Sequence, residues 1–178
     1  LERKKPRLKS IWTTLPVEEL TETEKEGFQI LEGPTRIYLR VKEMAGRAKR
    51  NVIGIGTDRD IVLLDEFDVL QTLRNTTRKG ASCKILRLGS VGANFSGMLK
   101  NFDVRVAQCD MPSPPHFVAV DSEEFLFFLN HGNVQRKSLC ALWTNYKSLT
   151  ETMTLFFSTQ WTNAGRGGKV TISPLPGI

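Results

Sequence analysis

The 178 residues contain only three cysteines, Cys83, Cys109 and Cys140, and these lie far apart. That number and spacing argue against a disulfide framework and against a zinc knuckle. They favour a reducing interior, so a cytoplasmic chain without metal or cofactor is the expectation. No run of about 18 apolar residues exists to span a membrane as a helix. The N-terminus, LERKKPRLKS, is charged and no apolar stretch follows it, so a signal-peptide pattern is missing as well. Two glycosylation triplets, Asn75-Thr76-Thr77 and Asn94-Phe95-Ser96, mean little without such a signal. Leu1 rather than methionine begins the chain. The expectation is a fragment of a longer protein, with the missing part upstream.

Apolar residues make up 40% of the chain and are spread along it, enough for one core and one domain. The formal net charge is +6, which suits nucleic acid or another anionic surface. Most of the excess, though, falls on Arg40, Lys42, Arg47, Lys49 and Arg50, the wet side of one helix. Only Arg3, Lys4, Lys5, Arg7 and Lys9 form a cluster. It lies in a Pro-punctuated basic linker over 1–16 and predicts sequence-blind, salt-sensitive binding at most.

Beyond that linker the pattern organises. Ile37, Tyr38, Val41, Met44, Ala45 and Ala48 recur at spacings of three and four, an amphipathic helix opened by Gly33-Pro34. NVIGIGT, 51–57, reads as a buried strand. A single helix follows, capped by Asp58 or Asp60 and running to about Arg78, with Gly80 ending it. SCKILRL, 82–88, is a second strand, 89–101 a shorter helical stretch, and FDVRVAQ, 102–108, a third strand. This alternation predicts a parallel sheet with helices packed on it. The second half changes character. HFVAVD and EFLFFLN flank a turn at Ser122-Glu123 and form a hairpin. SLCALWTN, 138–145, is a further strand and Lys147–Trp161 a last helix, with Phe156, Phe157 and Trp161 as core or dimer contact. Residues 163–178 read as a loose tail.

Candidate site residues follow from strand ends, where sheets of this kind bind ligands. GIGTDR places Thr57, Asp58 and Arg59 after one strand. Its glycines let a ligand approach the backbone, and Asp58 can accept hydroxyl hydrogen bonds. The plainer reading is a helix cap with a packing glycine. Ser90 follows the second strand, and Gln108 and Asp110 the third. Trp143 and Asn145 end the last strand, where a tryptophan beside polar groups suits a sugar ring or another planar face; Trp143 as simple core is the alternative. His116 stands at a strand start, as a ligand-binding or a structural histidine. Asp121 opens a turn, where it would bond to its own backbone.

FQILEGPTRIYLRVKEMAGRAKRNVIGIGTD, TTRKGASCKILRL, HFVAVDSEEFLFFL and ALWTNYKSLTETMTLFFSTQW, in that order, resemble the sensor domain of TrmB-type archaeal transcriptional regulators over roughly 10–162. The resemblance implies a single α/β domain, 17–162, with a phospholipase-D-like mixed sheet flanked by helices. It also implies a missing winged helix-turn-helix upstream that contacts DNA, a small-molecule effector with a sugar as the class suggested, and a homodimer. Phospholipase-D-type enzymes carry H-x-K-x-x-x-x-D followed by G-S-x-N, with the histidine as nucleophile. With Asp121 at the aspartate place, the lysine place holds His116 and the histidine place Pro114. Gly, Ser and Asn fall on Phe128, Leu129 and His131. With His116 as nucleophile, Val118 takes the lysine place and Glu123 the aspartate place. Neither register completes a site, so the expectation is an effector-binding and dimerisation domain that is not an enzyme. A degenerate phosphodiesterase or nuclease acting through His116, or a pure dimerisation or protein-interaction module, remain the alternatives.

Overall fold

The structure, a computed structural model, describes residues 26–89, 95–109, 114–130, 135–164 and 171–172. The expected linker over 1–16 and the candidate Ser90 lie outside the described residues. Strand β1 is Phe28–Glu32, helix α1 Pro34–Arg47 and β2 Asn51–Thr57; α2 is Asp58–Glu66, α3 Val69–Arg78 and β3 Ser82–Leu88. Then come α4 Ser96–Leu99, β4 Asp103–Cys109, β5 Phe117–Val120, β6 Glu124–Phe128, β7 Cys140–Thr144, α5 Lys147–Asn163 and β8 Thr171–Ile172. The sheet runs in the order β1-β7-β6-β5-β2-β3-β4-β8. β2, β3 and β4 are parallel, and β8 is parallel to β4. β5, β6, β7 and β1 continue it as antiparallel neighbours. The fold is thus a mixed α/β sheet flanked by helices, as expected.

Each face of the sheet carries its own core. Pro34 sits at the first turn of α1, where its missing N–H costs nothing. The buried stripe Ile37, Tyr38, Val41, Met44 and Ala45 faces the sheet with Leu70 and Leu73 of α3. On the other face α5 lays Phe157 and Trp161 against Ile53, Ile55, Leu86, Phe117 and Phe125. The end of α5 is tied down by Arg105 of β4. Its guanidinium donates to the carbonyls of Trp161 and Ala164 and lies 4.4 Å from the Trp161 ring centroid, a cation at a helix C-terminus.

Three sequence expectations change. The helix expected to run unbroken to Arg78 is two helices, because Asp68 takes the left-handed conformation, φ 58°. Aspartate tolerates that region better than most residues, and the break re-aims the apolar stripe so that Val69 and Leu70 are fully buried. FQILE, not assigned to any element, is the edge strand β1; it buries only Leu31, so no alternation marks it. Of the tail expected to be loose, 165–170 and 173–178 lie outside the described residues; Thr171–Ile172 forms β8, paired with Gln108 and Cys109, and α5 runs to Asn163.

Asp121 corrects a fourth. Asp121 and Ser122 both have positive φ, 55° and 59°, and Glu123 N–H donates to Val120 C=O at 2.9 Å, in a hairpin loop of Asp121, Ser122 and Glu123 between the paired Val120 and Glu124. The Asp121 carboxylate does not bond to its own turn. It accepts the backbone N–H groups of Lys49, Arg50 and Asn51 at 2.7, 2.8 and 2.7 Å, and so clamps the α1–β2 connection to the hairpin. Burial pushes its pKa up, but the three N–H groups and Arg50 outweigh that and hold it below the ordinary aspartate value. A lowered folded pKa stabilises the fold fully above the unfolded value, about 3.9. That stabilisation is lost as pH falls through the lower folded value. Asp121→Ala should cost about 3 kcal/mol, from donors left without their acceptor, in urea melts at neutral pH. The cost should shrink in melts taken at a pH below the folded value.

Candidate functional site

β2, β3 and β4 end at one edge of the sheet, and β5 starts there because it runs antiparallel to β2, with Phe117 opposite Ile55. This edge brings together Thr57, Asp58 and Arg59 with His116. β2 stops at Thr57, the N-cap of α2. Asp60, in the first turn, folds its carboxylate back, as in a capping box. Asp60 Oδ2 accepts Thr57 N–H at 2.6 Å and Thr57 Oγ1–H at 2.9 Å, and lies 2.9 Å from His116 Nδ1. Both His116 and Asp60 are buried, 2% and 5% exposed. A buried carboxylate is costly unless charge-matched and hydrogen-bonded, and the arrangement supplies three contacts from two segments, the end of β2 and the start of β5.

Asp58 has a different partner. Its Oδ1 accepts from Arg87 Nη1 at 2.5 Å, and the buried Arg87 lies 5.6 Å from the Phe95 ring. Arg59 points outward, exposed, from the same turn. The glycines of this edge make room for side chains of the protein itself. A Cβ on Gly56 would stand 2.9 Å from Asp60 Oδ2, and one on Gly89 3.1 Å from Asp58 Oδ1. Sequence reasoning named Thr57, Asp58 and His116 but offered Asp60 only as a helix cap, and it did not name Arg87. The signal for Arg87 was its position: an arginine one residue before the end of a buried strand needs a charge partner.

Trp143 and Asn145 do not join this edge. β7 runs antiparallel to β6, with Phe125 opposite Thr144, so its C-terminal end lies at the opposite end of the sheet, with the β5–β6 turn. The reason is the direction reversal through β5, β6 and β7, which a list of strand ends does not reveal. There Trp143 and Asn145 line a groove of about 1080 Å³ with Arg40, Arg47, Glu124 and Lys147. Trp143 Nε1–H donates to Glu124 Oε2 at 3.0 Å, and the Arg40 guanidinium lies 4.8 Å from its ring. Arg47 binds both oxygens of the Glu124 carboxylate, at 2.9 and 3.0 Å, and Asn145 Oδ1 accepts Gly27 N–H at 2.7 Å. Charges of both signs line this groove, which suits a neutral polar ligand better than an anion.

His116 and Asp121 are also separated. They flank β5, and five steps at about 3.3 Å each put them roughly 16 Å apart along the strand. Burial pushes the Cys83 thiol up to about 12, so it stays protonated at neutral pH and is a poor nucleophile.

The packing of Gly56 against Asp60 yields a test. Gly56→Ala should cost about 1–3 kcal/mol, as overpacking does, and lower the melting temperature. Gly97→Ala, whose Cβ would meet nothing within 4 Å, should change it little.

No family model and no curated protein sequence matches the chain. Solved structures do. The archaeal chromatin protein TrmBL2, whose structure shows a novel mode of DNA binding, superposes with a TM-score of 0.61 at 18% identity, over 82% of this chain and 56% of that one. Nuc of Salmonella typhimurium, a phospholipase D family member, gives 0.61 at 13% identity, over 79% and 97%. NucT of Helicobacter pylori gives 0.61 at 12%, over 79% and 98%. The chain therefore spans little more than half of TrmBL2 and nearly all of the two Nuc proteins. At these identities the likeness is one of fold, and the fold is phospholipase-D-like.

Proposed function

We propose that the chain is the ligand-responsive, dimerising domain of a TrmB-like, archaeal, cytoplasmic transcriptional regulator, without phosphodiesterase chemistry of its own. The observation that carries this reading is the condition of His116. It is the histidine at the strand ends, and its Nδ1 is held 2.9 Å from a buried aspartate. Pro114 lies two residues before it and Val118 two residues after it, so neither register of the motif pairs a histidine with a lysine. A structural clamp explains His116 without a substrate. The fold shared with TrmBL2, itself a DNA-binding protein, supports a regulatory setting, with DNA contacted by a domain upstream of this one.

The effector binds in the groove at the β7 end. Its volume, about 1080 Å³, lies just above the usual range of small-molecule sites, roughly 300–1,000 Å³, so a small ligand would fill part of it. Trp143 offers a ring face, while Glu124, Asn145 and the arginines offer hydrogen bonds to hydroxyls, a combination suited to a sugar. A coupling of about 1–3 kcal/mol between effector and operator is all such a switch needs. For the homodimer the candidate strand is β1, terminal in the sheet among the described residues. It carries Phe28 and Ile30 more than half exposed, and a sheet edge with apolar side chains invites a second strand.

Thermal-shift measurements over a panel of mono- and disaccharides should find a stabilising ligand. Its effect should vanish in Trp143→Ala and persist in Asp58→Ala. The reverse pattern would move the pocket to the β2 end. Phosphodiester turnover by the chain, lost in His116→Ala, would overturn the reading and establish the enzyme alternative. Ile30→Lys should shift sedimentation from dimer to monomer without loss of the thermal transition.

A further inference from the structure

Beneath the β2 end lies a second cavity, about 50 Å³, between the sheet and helices α1, α2 and α3. It exists because β2 carries Gly54 and Gly56 on this face, beneath Tyr38, Val41, Ile61 and Leu73. Its walls are almost wholly apolar; the lining residues with polar side chains are Tyr38, Asp60 and Lys84, and Lys84 turns its ammonium to the Trp161 ring on the other face, 5.7 Å from the centroid. Tyr38 is 1% exposed and its ring is fixed by stacking on Phe67, centroids 5.1 Å apart. Its hydroxyl meets no hydrogen-bond partner among the described residues. A buried hydroxyl without a partner is costly, and native folds seldom leave one. The cost could have been removed by a phenylalanine at this position, which would keep the stacking.

We propose that this cavity is a site for one ordered water molecule, which accepts the Tyr38 hydroxyl hydrogen bond and donates one to the Asp60 carboxylate. The site needs a small neutral group that both accepts and donates, since the residues lining it include a phenol that can donate and a carboxylate that can accept. Water meets that need. A cavity of about 50 Å³ exceeds the roughly 10–15 Å³ that one water requires. With two polar groups in an otherwise apolar wall, the cavity anchors one water rather than a cluster. The electrostatics agree: burial, then the nearby charge of Asp60, push the Tyr38 pKa upward, so the phenol stays protonated and keeps a hydrogen to donate. The water carries the Thr57–Asp60–His116 network into the core and gives Asp60 a fixed position from a further side. This inference does not depend on which groove holds an effector or on the regulatory reading.

Crystals of the chain, with and without xenon pressure, test it. The expected result is a density peak about 2.7–3.2 Å from both Tyr38 Oη and an Asp60 oxygen, with no xenon in the cavity. In Tyr38→Phe the peak should disappear and xenon should enter, since dry apolar cavities take it. Xenon in the unsubstituted protein, or no peak between the two groups, would overturn the proposal, as would a peak that persists in Tyr38→Phe. If Tyr38→Phe does not fold, the two measurements on the unsubstituted chain decide alone.

Discussion

One carboxylate oxygen, Asp60 Oδ2, joins the end of β2, the start of α2 and the start of β5, through Thr57 N–H, Thr57 Oγ1–H and His116 Nδ1. A carboxylate this deeply buried would be strongly destabilising alone, so these contacts and the route of the chain depend on one another. β2 lies between β3 and β5, and the clamp holds β5 against it where the sheet changes from parallel to antiparallel. Gly56 is the space this requires, since any larger residue would press on the same oxygen.

A second carboxylate serves the other end of the same two strands. Asp121 collects the backbone donors of Lys49, Arg50 and Asn51 and thereby fixes where β2 begins, as Asp60 fixes where it ends. The left-handed backbone of Asp121 and Ser122 costs about 1–2 kcal/mol per residue. Three hydrogen bonds to a charged acceptor, each typically about 1.5–3 kcal/mol, are enough to offset it. Both ends of β5 are thus pinned to β2 by carboxylates whose partners lie within the fold.

Between these clamps the molecule has two different ends. At the first, the polar side chains Thr57, Asp58, Asp60, Arg87 and His116 are drawn inward onto one another. At the second, the groove beside Trp143 is open and wide. Reversal of direction through β5, β6 and β7 creates this division, and it sends Trp143 and Asn145 away from Asp58 although all of them follow strands.

The elements built on a single local pattern were legible in the amino-acid order. The 3–4 spacing of α1, the β-rich runs of β2 and β3, and the hairpin of β5 and β6 each bury a face that their own residues define. Elements whose burial comes from elsewhere were not: β1 hides only Leu31, β8 is two residues paired to β4, and the break at Asp68 answers packing on both sides of it. The site divides in the same way. Residue types near strand ends pointed to Thr57, Asp58 and His116, because β2 and its following turn are continuous in sequence. The pairings His116–Asp60, Arg87–Asp58 and Asp121 with Lys49–Asn51 span 29 to 72 residues, and no local pattern encodes a partner at that distance. Composition and periodicity alone thus determined a one-domain α/β chain with an apolar core and polar strand ends. Only the tertiary structure decided which of those ends meet, because strand direction and long-range charge pairing are properties of the assembled sheet.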